Sequence, residues 1–555
     1  KPHLCGSSQG FVERMPHLNN PAVLALCVAL CACTALATTT CPPLRHRSGQ
    51  AIGKIGSFLR SANIPSMKKT AAPAAEECMR LKGGAADAAV VEEISSLMKG
   101  EGLSESAVKA FLQAYEALVS GQDGMILEST IEPATGLPSQ ADLKAADSGK
   151  IKGLLEQTVV LKLNGGLGTG MGLEQAKSLL KVKGTDTFLD FIAKQVMSFR
   201  KTSGNVKSMF MNSFSTSADT KDALKDYAEL ISGDWEVVQN KVPKIDQSTL
   251  KPAKLPSAPV KEWCPPGHGD LYPSLAGSGV LKKLLDAGIK YMFVSNSDNL
   301  GATLDVNLLN YFAESDKSFI MEVAERTEAD KKGGHLAVRT SDKHMLLRES
   351  AQCADSDEKA FQDTKKHAYF NTNNLWIRLD KLQEVLDKND GVVPLPMIKN
   401  DKTVDPSDGD SAKVYQLETA MGAAIESFEN AGAIVVGRER FAPVKTCADL
   451  LRVRSDAYVV TEDFRLVLAP ECKGIPPTVD LDSKVYKKVS GLDKLLEGGE
   501  VPSLKDCSKL SIKGKVVLSP GTIFKGKVAL TNPSDDWVTL KAGTYENAEI
   551  DVTKA

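Results

Sequence analysis

The chain has 555 residues, 42% of them hydrophobic and 25% charged, with a formal net charge of −2. That length supports about two to four domains with a substantial core. The near-neutral balance gives no electrostatic case for nucleic acid or an anionic membrane as a partner. Of 11 cysteines, Cys5, Cys27, Cys31, Cys33 and Cys41 crowd the start and the others are scattered singly, with no Cys-x-x-Cys pair among them and no His at metal spacing. Reduced thiols are expected in the body of the protein rather than a disulfide framework or a zinc site.

Residues 14–75 contain no Asp or Glu. Within them the uncharged apolar run 22–37 ends in Ala35-Leu36-Ala37, and Arg45, Arg47, Lys54, Arg60, Lys68 and Lys69 follow among Ser, Thr and Gly. The run is too short for stable membrane insertion and reads as a signal-peptide core followed by a transit-like segment. A targeting or disordered leader is expected over residues 1–75. Two readings stand level: delivery to a plastid of secondary origin, or a cytoplasmic protein begun at Met67, with Lys1 marking a fragment or an upstream start.

Apolar residues at helical spacing (Val90, Val91, Ile94, Leu97, then Val108, Phe111, Leu112, Tyr115, Leu118) predict a helical region over 76–150, broken at Gly100–Gly102 and restarted after Ser104 as an N-cap. From 151 to 465 short β-branched runs alternate with helical stretches. Strands are expected at 159–163, 207–211, 291–294, 319–323, 375–377 and 433–436, and helices at 187–199, 219–230, 275–285 and 419–428. Such alternation implies an α/β domain, a mostly parallel sheet with helices on both faces and ligands at the carboxyl ends of its strands. In residues 466–555, Lys513-Gly-Lys-Val516 recurs as Lys525-Gly-Lys-Val528. Stacked short strands in a small left-handed β-helix are expected there, with a β-hairpin array as the alternative.

The first strand runs into Asn164-Gly-Gly-Leu-Gly-Thr-Gly-Met-Gly172, and Lys177-Ser178 follows. Glycines let backbone N–H groups approach an anion, a helix expected next would add its positive end, and Lys177 supplies a cation. The spacing fits neither the P-loop, since Ala176 precedes Lys177 and Met171 replaces the first Gly, nor the dinucleotide fingerprint, whose last Gly falls on Met171 or Leu173.

Further segments occur in order: Pro-Pro-Gly-His-Gly-Asp (265–270), Asn-Ser-Asp-Asn-Leu-Gly-Ala (296–302), Lys-Gly-Gly (332–334), Phe-Asn-Thr-Asn-Asn-Leu-Trp (370–376), Gln-Leu-Glu-Thr-Ala-Met-Gly-Ala-Ala (416–424) and Arg-Phe-Ala-Pro-Val-Lys-Thr (440–446). With the glycine loop, these resemble the UTP–glucose-1-phosphate uridylyltransferase family from about residue 85 onward. One departure is Leu173-Glu174-Gln175-Ala176, where plant and animal members carry Cys-Thr-Gly-Pro before the Lys-Ser.

The resemblance implies a Rossmann-like nucleotidyltransferase domain, a C-terminal β-helix that in some members mediates homo-oligomerisation, and the formation of UDP-glucose and pyrophosphate from UTP and glucose 1-phosphate with Mg²⁺. A sugar phosphate with a second pKa of about 6 is already mostly dianionic, so no general base is needed. The site must instead hold two anions in line and absorb developing charge, which calls for lysines, backbone N–H groups and Mg²⁺. By resemblance Lys177 and Lys445 are the catalytic cations and Asp298 the metal ligand. Leu163, Asn164, Gly165, Gly166, Gln239 and Gly267, with Lys177, Asp298 and Lys445, bind the nucleotide. His268, Asn296, Ser297, Gly334, Glu349, Asn371 and Asn373 meet glucose 1-phosphate. Two rivals remain: a UDP-N-acetylhexosamine or broad-specificity pyrophosphorylase, whose loop carries an Arg absent here, and a catalytically silent sugar-nucleotide-binding protein.

Overall fold

Alternation of two buried faces along each strand builds the centre of the protein. In the computed structural model, which describes residues 86–554 except Asp123, seven strands form one sheet: β1 (Thr158–Asn164), β2 (Lys207–Asn212), β3 (Glu236–Val238), β4 (Tyr291–Asn296), β5 (Phe319–Glu325), β6 (Tyr369–Arg378) and β7 (Gly432–Val435). Their spatial order is β7-β5-β6-β4-β1-β2-β3. All neighbours are parallel except β6, which runs antiparallel to both β4 and β5. Val159, Leu161, Met209, Met292, Met321 and Leu375 face one core; Val160, Phe293, Ile320, Trp376 and Ile434 face the other. A sheet covered on both faces is what near-continuous apolar strand runs require.

The helical region forms α1 (Ala88–Gly100) and α2 (Glu105–Val119), with Ser104 accepting the Ala107 N–H at 3.2 Å. Both pack on Val242, Ile245, Met397 and Leu417. Helix α3 (Phe188–Thr202) starts in a capping box of Thr187 and Asp190.

Four expected helices changed form. No α-helix follows the glycine loop directly: single 3₁₀ turns at Thr169–Met171 and Lys177–Leu179 lead to a short hairpin, and α3 begins only at Phe188. The stretch expected at 275–285 is two helices, α4 (Leu271–Gly277) and α5 (Val280–Asp286), separated where Gly279 takes φ +73°. The one expected at 219–230 is a short helix, Ser217–Ala223, then a kinked 3₁₀ segment, Lys225–Leu230. At 419–428 the chain makes a 3₁₀ segment, Met421–Glu426, because its small apolar residues pack against the sheet rather than lining one helical stripe.

The C-terminal strands are β8 (Thr478–Leu481), β9 (Cys507–Lys513), β10 (Val516–Leu518), β11 (Ile523–Thr531), β12 (Val538–Leu540), β13 (Thr544–Glu546) and β14 (Glu549–Asp551). Every pairing among them is parallel: β8 with β9, β9 with β11, β11 with β13 and β14, and β10 with β12. An array of antiparallel hairpins is therefore not what these residues form. The repeated glycines sit at different places, Gly514 (φ +78°) just after β9 and Gly526 (φ +61°) within β11, where a side chain would run into Asn532 and Asn547 respectively. Their inward residues join Met171, Leu180, Phe188, Leu450 and Leu492 in one core. No helix among the described residues is long and apolar enough to cross a membrane. The leader expected over residues 1–75 lies outside the described residues.

Candidate active site

Parallel β1, β2, β3 and β4 end on the same side of the sheet, and the loops leaving those ends converge there. The glycine loop after β1 folds back on itself: Lys177 donates its N–H to Gly166 O at 3.1 Å, and Leu167 bridges Ala176. Of its five glycines only Gly172, at φ +78°, takes a left-handed conformation. Gly165 and Gly168 serve by size. A Cβ on Gly165 would stand 2.6 Å from Gln239 Oε1, and one on Gly168 would collide with Leu173.

Lys177 reaches from this loop to Asp298, just beyond β4, with Nζ 2.6 Å from Oδ2. Asp298 Oδ1 is buried without a hydrogen-bond partner. Lys445 comes to the same place through its backbone, since Val444 donates to Asp298 O at 3.1 Å and Asn299 bridges Pro443. Its side chain is exposed.

Gln239 and Gly267 lie together, the Gln239 amide donating to Gly267 O at 2.8 Å. Gly267 sits at φ +79° with Thr419 O 2.5 Å from where its Cβ would be. Beside it the His268 ring accepts the Met421 N–H on Nδ1 at 3.0 Å, and burial lowers its pKa to about 4. The ring is therefore neutral near pH 7 and carries its proton on Nε2, as a donor. Asp270 is buried too; burial pushes its carboxyl up to about 6, against donors from Ser274 and Asn240.

A β-bulge shapes the next part. Glu322 opposes Asn374 but Val323 opposes Asn371, so Thr372 and Asn373 are extra residues in β6. Asn373, at φ +63°, donates from Nδ2 to Asn296 Oδ1 at 3.0 Å, and Asn371 Oδ1 accepts the Asn373 N–H at 2.8 Å. A Cβ on Gly422 would stand 2.6 Å from Asn371 Nδ2. Gly334 packs so closely on Glu349 that any side chain there would strike the carboxylate. Burial raises the Glu349 pKa, and the nearby Lys445 charge opposes the rise.

The structure thus groups Lys177, Asp298, Asn296, Ser297 and Lys445; it groups Gly165, Gln239, Gly267 and His268; and it joins Asn371, Asn373, Gly334 and Glu349 to them through Asn296 and Lys445. Leu163 accepts the Ser297 N–H at 3.0 Å, tying the two loop bases. Asn164 stands apart in one respect: its amide is buried and donates to Asn212 Oδ1 at 2.9 Å and Thr220 Oγ1 at 2.8 Å, leaving its backbone at the loop. Several residues the sequence reading passed over complete the surroundings, among them Gly422, Glu322 and Arg440. The signal for Glu322 was present, a lone carboxylate inside the apolar run 319–323.

Residues 108–525 match the protein family described as UTP–glucose-1-phosphate uridylyltransferase. The enzyme of that name from Musa acuminata is 36% identical over 462 residues, covering 81% of this chain and 95% of its own. The Saccharomyces cerevisiae enzyme is 39% identical over 378 residues, 68% of this chain and 74% of its own. Among solved structures, the L281D mutant of UDP-glucose pyrophosphorylase from Leishmania major in complex with UDP-Glc is 47% identical, with a TM-score of 0.80 over 84% of this chain and 100% of that one. The Trypanosoma brucei protein described as a UDP-glucose phosphorylase is 48% identical, with a TM-score of 0.78 over the same shares. The family match over 108–525 and relatives covering most of both chains, with the same fold, show that the chain belongs to the UTP–glucose-1-phosphate uridylyltransferase family.

Proposed function

We propose that the protein transfers the uridylyl group of UTP to glucose 1-phosphate, giving UDP-glucose and pyrophosphate, reversibly. A phosphate oxygen of the sugar phosphate attacks the α-phosphorus in line. The P–O bond to the β-phosphate breaks, and pyrophosphate departs with that electron pair. The observation that carries this reading is the Lys177–Asp298 pair at the strand ends, one cation and one carboxylate with an unpartnered buried oxygen.

Lys177 spans the UTP phosphates and offsets charge as it moves onto pyrophosphate, while Lys445 does the same for the sugar phosphate. Gly165, Gly166 and Gln239 hold uracil, whose O4 and N3–H match an amide's donor and acceptor. His268 donates from Nε2 to a phosphate or sugar oxygen. Asn371, Asn373 and Glu349 take glucose hydroxyls, and Gly334 and Gly267 let the backbone close against Glu349 and Thr419.

Asp298 Oδ1 suits Mg²⁺, which needs only one or two carboxylates beside phosphate oxygens. Among the described residues no cluster of three or more His, Cys, Asp or Glu side chains forms a fuller cage. Bound there, Mg²⁺ would supply positive charge to the α-phosphoryl. We further read residues 466–555 as a left-handed β-helix domain packed beside a catalytic domain over 151–465; the parallel stacking of β8–β14 supports it.

The test is pyrophosphate release by the purified protein with UTP and a panel of sugar 1-phosphates. Turnover with glucose 1-phosphate well above the N-acetylhexosamine and other sugar 1-phosphates is expected. Release with none of them overturns the reading.

A further inference from the structure

Behind the site, on the sheet face turned from His268, lies a charged group that the proposed reaction does not touch. Arg440 is 5% exposed and Glu322 fully buried, and they form a two-pronged pair: Arg440 Nε to Glu322 Oε2 at 2.8 Å, Nη2 to Oε1 at 2.7 Å. The carboxylate also accepts Asn374 Nδ2 at 3.0 Å and Trp376 Nε1 at 2.9 Å, so all its capacity is used. A buried ion pair of this kind is commonly replaceable by apolar side chains at no cost to stability, so stability alone does not account for it.

Its connections do. Arg440 Nη2 donates to Thr303 O at 3.0 Å, and Arg440 O accepts Asn299 Nδ2 at 3.0 Å, which fixes the turn that carries Asp298. Asn299 Oδ1 accepts the Ala442 N–H at 3.0 Å, which aligns the segment that carries Lys445. On the other side, Glu322 O accepts Thr372 Oγ1 at 2.7 Å, inside the bulge that presents Asn371 and Asn373. Asn373 closes the ring by bonding Asn296. Lys162 braces the same turn from β1, donating to Ser295 Oγ at 2.7 Å and Ala302 O at 2.6 Å.

We propose that Arg440, gripped by Glu322, is a positioning residue that sets Asp298 and Lys445 in fixed relation to the Asn371–Asn373 bulge, so that phosphoryl group and sugar are aligned by one buried fork. The inference rests on the uridylyl-transfer reading above. It concerns alignment, not charge at the reacting atoms, and a small misplacement of reacting groups costs roughly 10²-fold in rate.

The experiment compares the full-length wild type with Glu322→Met/Arg440→Met and with Arg440→Lys, which keeps the charge but not the fork. The double variant strands the Asn374 and Trp376 donors, so it is expected to stay folded with a lowered melting temperature, to lose roughly 10²-fold in kcat, and to show KM for glucose 1-phosphate raised more than KM for UTP. Arg440→Lys is expected to fall between the two. A stably folded double variant with wild-type kcat and KM overturns the proposal, as does an equal rise in both KM values. If the double variant unfolds, Arg440→Lys decides: lowered kcat at unchanged melting supports the proposal, and wild-type kcat overturns it. An inactive wild type would instead strike the uridylyl-transfer reading.

Discussion

The two halves of the site are made of different material. On the side proposed above for the nucleotide, around Gly165, Gln239 and Gly267, the chain brings backbone together and uses absent side chains to do so. On the side proposed for the sugar, around Asn371, Asn373 and Glu349, it presents side chains from a bulged strand and a close glycine contact. A backbone-built half tolerates little change in size, and a side-chain-built half little change in chemistry. The Lys177–Asp298 pair stands where the two meet.

The largest effect should come at that junction. Lys177→Ala removes a preorganised cation from the transition state and is expected to lower kcat by roughly 10²-fold or more, with little change in melting temperature. Steady-state kinetics beside a thermal melt checks it, and wild-type turnover would break the comparison at its centre. Asp298→Asn keeps the shape and the turn but loses the charge, so the Mg²⁺ concentration for half-maximal rate should rise with the rate reduced. An unaltered magnesium titration would leave Asp298 as a partner of Lys177 only.

Next come the two halves themselves. Gly165→Ala places a methyl 2.6 Å from Gln239 Oε1 and must displace that amide. An unpaired buried polar group costs about 1–3 kcal/mol, so kcat/KM for UTP should fall about tenfold or more while discrimination against CTP shrinks. Asn373→Ala should act oppositely, raising KM for glucose 1-phosphate and sparing UTP. It also gives up an αL position that Asn tolerates better than Ala. If both variants changed both KM values alike, the division into two halves would be wrong.

The smallest effect concerns His268. With its pKa lowered to about 4, the folded state binds fewer protons there than the unfolded chain between about pH 4 and the ordinary value of 6.5. Its contribution to stability is thus present above pH 6.5 and lost on acidification toward 4. Asp270, raised to about 6, opposes this between its ordinary carboxylate range and pH 6, because there the folded state holds the extra proton. Histidine proton resonances should show no titration of His268 between pH 6 and 8, and a midpoint near neutrality would refute the tautomer assigned to it.

The same division explains what was legible beforehand. Runs such as 159–163 and 291–294 became strands because an apolar run in alternation with helices has few other places to go, and the glycines advertised the nucleotide side. The helix expected after the loop failed because Lys177–Leu179 turns into a hairpin whose Val182 enters the core shared with the C-terminal strands. The break at Gly279 was readable in principle from Ser278-Gly279. The bulge was not: nothing in Phe-Asn-Thr-Asn-Asn announces that two residues will be skipped in pairing with β5, because the shift falls beside Glu322, which is far off in the chain and bonded to the still more distant Arg440. Asn164 shows the limit of motif transfer, as its amide serves Asn212 and Thr220 beneath the loop.

The contact at Gly172 reaches beyond catalysis. Its missing side chain seats the stem of Lys488, whose Cγ would lie 3.1 Å from a Cβ there. Next to it Met171 is buried in a core completed by Leu510, Val528 and Val552. The ribosome delivers the chain from its amino end at about 5–20 residues per second, so the glycine loop emerges long before the residues that pack on it. Until those residues arrive the loop lacks the packing that Lys488, Leu510, Val528 and Val552 give it. The tail thereby braces the glycine loop from behind, and a chain cut short within it is expected to lose that brace.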